Sequence, residues 1–212
     1  MKKYLLVHAF LLQFGASTVH GQTNLSDMAI ASSDSLQKSR IRYFSPGKGG
    51  EDRVWDFSKK LSSKESFQVM FMKDSTGVLS VIEPGKISYY HSTPDSLILI
   101  GSESPLEKRE YVRKKMSKCF PLEFGDSVSR RYRCEGVYCG NHPFREVGTT
   151  TVKTDASGSI VLAENDTVWN VRRVHTIDTY SICMDITVAA LDTAELTQVI
   201  DERYEWYLPE SQ

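Results

Sequence analysis

Ser127 stands behind Gly125 and Asp126. A serine acts as a nucleophile only if a base takes its proton and donors hold the developing oxyanion. Beyond the first twenty-one residues the candidate bases are His91, His142 and His175, and three positions before them stand Ser88, Cys139 and Arg172. No Asp-x-x-His pair is there to support a base. Arg130, Arg131 and Arg133 then follow in an alternating stretch that suits a strand, so Ser127 is expected at a strand entrance, with a hydrolase built on Ser127 as the alternative. The same histidines lack the His-x-His or His-Glu-x-x-His spacing that brings two imidazoles to one ion, so neither a metal site nor a cofactor is expected. Glu51 with Asp52, and Glu164 with Asp166, supply the two carboxylates a glycosidase needs, but any chain with 27 acids offers such pairs.

Cys119, Cys134, Cys139 and Cys183 allow three pairings. A glycine inside Cys134-Glu-Gly-Val-Tyr-Cys139 favours a short Cys134–Cys139 bridge and leaves Cys119 for Cys183; free buried thiols are the competing reading. Lys108, Arg109, Arg113, Lys114, Lys115 and Lys118 form a basic concentration able to receive an anionic glycan or to guard an edge strand by charge. Trp55, Trp169, Trp206, Tyr89 and Tyr90 are of the right type to stack on sugar rings, and equally of the type that fills cores.

The elements that must position these groups read as strands. Val54–Phe57, Phe67–Lys73, Val78–Glu83, Lys86–His91, Ser96–Gly101, Phe120–Phe124 and Val128–Cys134 are short apolar or alternating runs. They are cut by Asp74-Ser-Thr-Gly77, Pro84-Gly85, Thr93-Pro94-Asp95 and Asp155-Ala-Ser-Gly158, which supply residues that tolerate turn dihedrals. In Ser181–Val188, and again where Ile200, Tyr204, Trp206 and Leu208 oppose Asp201, Arg203 and Glu205, the period is two, which predicts half-buried strands. Helical periodicity is scarce: Pro105–Met116 is charged almost all round, and Ala189–Gln198 has room for one or two turns. The expected fold is all-β, an antiparallel sandwich or open barrel.

Met1-Lys2-Lys3 followed by the apolar run Tyr4–Leu12, with small residues at Val19 and Gly21, reads as a signal peptide over 1–21. Residues 22–40 are expected to be a mobile lead-in, and 41–212 a single β-rich domain. Removing 1–21 takes Lys2 and Lys3 and no acid, which moves the net charge from −1 to −3. That balance gives no reason to expect a nucleic-acid partner, and no later stretch is long and apolar enough for a membrane helix.

Two resemblances add to this reading. Phe124-Gly-Asp-Ser-Val-Ser129 resembles the first block of the GDSL esterases, which would make Ser127 the nucleophile, although the other blocks of that family are not found. Val54-Trp-Asp-Phe-Ser58, Phe120-Pro-Leu-Glu-Phe-Gly-Asp-Ser127, Asp155-Ala-Ser-Gly158 and Val171-Arg-Arg-Val-His175 together resemble a family of exported β-rich proteins of unknown function from Bacteroidota. That resemblance implies a periplasmic or extracellular protein; with no sorting domain after Trp206, the periplasm comes first. Asp followed by Ser35, Ser75, Ser96, Ser127, Thr167 or Thr193 is similar to the O-glycosylation acceptors of that bacterial group. The expected function is a non-catalytic structural or ligand-binding protein of the cell envelope whose partner is an envelope protein or a glycan. A glycan-binding accessory module is a further alternative.

Overall fold

The computed structural model describes residues 4–5, 34–41, 43, 45–58, 62–93, 96–119, 123–162, 166–184 and 198–207. Within them the chain is all-β, as its alternation predicts, and the sheet is antiparallel except where β1 meets β12 and β3 meets β10. The strands are β1 (Tyr4–Leu5), β2 (Asp34–Ile41), β3 (Gly50–Asp56), β4 (Ser62–Lys73), β5 (Val78–Glu83), β6 (Lys86–Ser92), β7 (Ser96–Glu103), β8 (Glu107–Cys119), β9 (Ser127–Tyr138), β10 (His142–Val161), β11 (Thr167–Met184) and β12 (Gln198–Tyr207). They form one sheet rather than the two of a sandwich, in the order β1-β12-β11-β10-β9-β8-β7-β6-β5-β4-β2, and the ladder does not close into a barrel. Residues 34–40, expected in the lead-in, form β2 together with Ile41, and β2 is paired with β4. Most of the signal segment 1–21 lies outside the described residues, as do 189–197 of the turns expected at Ala189–Gln198, while Gln198 opens β12.

The meander follows from turn chemistry. Asp74 Oδ1 accepts from the Thr76 and Val78 amides at 2.8 and 2.9 Å and so builds the β4–β5 turn. Between β9 and β10 both Cys139 (φ 48) and Gly140 (φ 79) lie in the left-handed region, the pairing that matches a hairpin to the twist of its strands.

Strand β10 has 20 residues and β9 only 12, so β10 outruns its neighbour. β9 pairs with β10 from His142 to Lys153, and beyond that β3 takes the same edge, in parallel, from Ala156 to Val161. Asp155-Ala-Ser-Gly158, expected as a hairpin loop, instead lies inside β10 and carries the register shifts at which the strand bends. Gly158 is there for close approach: a Cβ would sit 1.8 Å from the Arg53 carbonyl oxygen. Of the strand expected at Phe120–Phe124, residues 120–122 lie outside the described residues and the rest belongs to a turn, Glu123–Asp126, with the Asp126 amide donating to the Glu123 carbonyl and the Glu123 amide to Asp126 Oδ2.

Pairing register sorts the side chains onto two faces. The concave face carries Tyr132 and Cys134 of β9, Phe144, Glu146, Thr150 and Val152 of β10, Val174, Thr176 and Asp178 of β11, and Arg203 and Glu205 of β12. In a flat sheet β8 and β12 would lie roughly 19 Å apart, beyond the reach of a lysine. Yet Lys118 of β8 meets Glu205 of β12 at 3.2 Å, and Arg203 donates to the Ser117 carbonyl at 3.2 Å. The sheet is therefore curled, with β8 and β12 bridged across its hollow. On the convex face, shifted by the β10 bulge, Trp55, Phe57, Ala156, Val171 and Trp206 pack as a separate cluster under β3.

Candidate functional site

The concave face of β8–β12 holds a chain of ionisable groups paired with one another. Glu146 is 2% exposed; one carboxylate oxygen accepts from Arg109, the other from the Tyr132 hydroxyl at 2.7 Å. Lys115 pairs with Asp178 at 2.9 Å and lies over the Tyr132 ring, and the Thr150 hydroxyl donates to the other Asp178 oxygen. Glu205 takes both Lys118 and Arg203. Burial works against the Arg109 charge, but Glu107 and Glu146 outweigh it and raise its pKa. Burial likewise raises the pKa of Glu205 while Lys118 and Arg203 lower it by more, so the net shift is downward. Burial also pushes the Cys134 thiol up to about 11, which leaves it protonated and inert at neutral pH.

A second constellation sits on the convex face. Arg173 is 1% exposed and grips Asp155 with two parallel bonds of 2.8 and 2.9 Å. Its remaining nitrogen donates to the carbonyls of Pro46 and Gly47, so the turn that precedes β3 is tied to β11. Beside it His175 stacks on Tyr204 at 4.1 Å and bonds Glu202 at 3.1 Å. Burial, opposed by Asp155 and Glu202, lowers the His175 pKa.

Ser127 is exposed, opens β9 and faces Lys153 across the ladder; no helix follows it. The esterase geometry, a serine on a strand-to-helix turn, is not formed there. Asp126 is spent on its own turn, and His175 is held by Glu202. Among the described residues no group of three or more His, Cys, Asp or Glu converges on one point.

The expected bridges Cys134–Cys139 and Cys119–Cys183 are not formed, and none of the four cysteines is in a disulfide. Cys134 is inside a strand and Cys139 five residues on, past its end; an extended run of that length spans roughly 16 Å, far beyond the reach of a disulfide. Cys119 packs near Val152 and Val174, whereas Cys183 lies nine residues farther along β11.

The basic concentration is also taken apart by the fold. Arg109, Lys115 and Lys118 turn to the concave face and are neutralised there, and Lys108 pairs with Glu103 at 3.0 Å. Arg113 alone joins a different set, lining a groove of about 660 Å3 with Val112, Arg131, Arg133, Val147 and Thr149. Of the tryptophans, Trp55 and Trp206 are core and Trp169 is 71% exposed beside the left-handed Asn170. Tyr90 is half-buried, and its desolvation raises its pKa. Ser75 lies in the β4–β5 turn, Ser96, Ser127 and Thr167 open β7, β9 and β11, and Ser35 is the second residue of β2; Thr193 is outside the described residues.

Sequence reasoning missed the buried acids. The signal available was a charge, Glu146, on the same parity as Phe144, Thr150 and Val152. Compared with protein-family models, with curated proteins and with solved structures, the chain matches none of them.

Proposed function

We propose that the chain is a non-catalytic structural or ligand-binding protein of the bacterial cell envelope, exported by residues 1–21 and resident in the periplasm. What supports this reading is that the buried ionisable groups are committed to one another. Glu146, Asp178, Glu205 and Asp155 each hold a cation, and such satisfied networks rigidify a fold rather than poise a reacting group. A screen with p-nitrophenyl esters should show no hydrolysis above the uncatalysed rate. Hydrolysis that Ser127→Ala abolishes would replace this proposal with the esterase. Fractionation of the native host should place the protein in the periplasm, and intact mass from that host should show whether Ser35, Ser75, Ser96, Ser127, Thr167 or Thr193 carries glycan.

Exposed Trp169 favours a second reading, a glycan-binding accessory module. Quenching of its fluorescence by iodide should be relieved by the bound sugar; quenching unaltered by every sugar tried would remove it.

A further inference from the structure

On the convex face of β8–β10 the chain places like charges directly opposite one another. Arg113 of β8 is the register partner of Arg133 of β9, and Arg131 lies two residues before Arg133 on the same face. Such a pairing destabilises a sheet unless something neutralises it. Inside the molecule little does. Glu135 accepts from both Arg133 and Arg145, at the end of the row where Glu110 faces Glu135. Arg113 and Arg131 have no hydrogen bond or ion pair among the described residues, and Arg133 Nε is buried with no acceptor. The guanidinium row borders the groove of about 660 Å3, which is also lined by the exposed Val112 and Val147, by Thr149, and by Tyr132 and Gly148.

We propose that this groove binds an acidic oligosaccharide, its carboxylate or sulfate groups taken by Arg113, Arg131 and Arg133 and the C–H faces of its rings laid on Val112 and Val147. Neighbouring arginines on the row stand roughly 5 to 7 Å apart, a spacing set by the strand and the ladder, so the ligand carries more than one anion. Guanidinium forks suit planar oxyanions, to which they donate two parallel bonds. The one aromatic residue along the groove, Tyr132, is 2% exposed with its ring turned to the concave face, so no ring is offered to unpaired bases; there is no deep apolar hole for a peptide anchor, and the chain as a whole is slightly acidic.

This inference rests on the ligand-binding reading above and is tested separately from it. Calorimetry on the full chain would compare a short oligogalacturonate, a heparin-derived oligosaccharide, neutral dextran, a poly-glutamate peptide and a DNA duplex. One or both acidic glycans should bind, with an affinity that falls as salt rises, and dextran should not. Arg113→Gln with Arg131→Gln should weaken that binding by about ten-fold or more, while Lys48→Gln, on an exposed loop elsewhere, leaves it unchanged. Circular dichroism should be unaltered in both variants, since the replaced side chains are exposed. No binding of either acidic glycan, equal binding by the double variant, or tighter binding of the peptide or the duplex would overturn the proposal. A cytoplasmic location in the native host would sink the envelope reading and leave this result standing.

Discussion

Two buried guanidinium–carboxylate pairs lie on opposite faces of one sheet and differ in which member is buried and in what they join. In Arg109–Glu146 the acid is the hidden partner, 2% exposed, and it links β8 to β10 within a run of consecutive strands. In Arg173–Asp155 the cation is hidden, 1% exposed, and through the Pro46 and Gly47 carbonyls it ties down a segment more than a hundred residues away in the chain. Strands adjacent in sequence pair readily, so the concave network adds curvature to a meander that turn chemistry already dictates. The convex pair does something the meander cannot. It holds β3 on the far half of β10 and closes the aromatic cluster of Trp55, Phe57 and Trp206, whose rings meet edge to face at 5.9 and 5.6 Å.

This contrast orders the expected effects. Arg173→Ala leaves the buried side of Asp155 and the Gly47 carbonyl without their donor, and the Pro46 carbonyl with the Trp55 indole alone, and should cost about 3–5 kcal/mol by denaturant titration, with Trp55 emission moving to the red as β3 comes away. Trp206→Ala should cost a similar or slightly smaller amount, about 3–4 kcal/mol, through the cavity it leaves. Glu146→Gln keeps the Tyr132 bond and leaves Arg109 with Glu107, so a loss of about 1–3 kcal/mol is expected, without the red shift. If Glu146→Gln proved as costly as Arg173→Ala, the Arg173–Asp155 pair would not be the more demanding of the two.

Acid should separate the faces as well. His175 has a folded pKa below its unfolded 6.5, so its contribution to stability is present above pH 6.5 and is lost as pH falls through the lower folded value. Glu205 has a folded pKa below 4.5, so its contribution persists above pH 4.5 and is lost only in stronger acid. The convex face should therefore loosen first on acidification, and His175→Gln should flatten that early limb; hydrogen exchange at falling pH would read both. The smallest effect belongs to the β9–β10 turn. Cys139→Asn suits φ 48 better than cysteine and should add about 0.5 kcal/mol or less to stability.

Much of the fold was legible because alternation and turn residues are local signals. β5, β6 and β7 fall where apolar runs meet Asp74–Gly77, Pro84-Gly85 and Thr93–Asp95. Asp155–Gly158 misled for a physical reason: the same small and polar residues that permit a turn also permit a bulge, and whether a neighbouring strand covers the edge is not a local property. Strand β12 was half legible. Its period of two is real, but the charged parity of Asp201, Arg203 and Glu205 faces the hollow of the sheet while Tyr204 and Trp206 pack outside, so both faces are covered. The basic run was the least faithful guide to a site. Its members part to opposite faces, and the unpaired guanidiniums that gather come from two strands.

By itself the sequence determined the strand content, the short turns and the small net charge, because each depends on neighbours along the chain or on composition alone. Only the tertiary structure decided which charges are buried as pairs, that the cysteines stand apart, and that Arg113 meets Arg131 and Arg133. Those outcomes depend on the curl of the sheet and on its register, and a shift of one residue in register exchanges every inward side chain for an outward one.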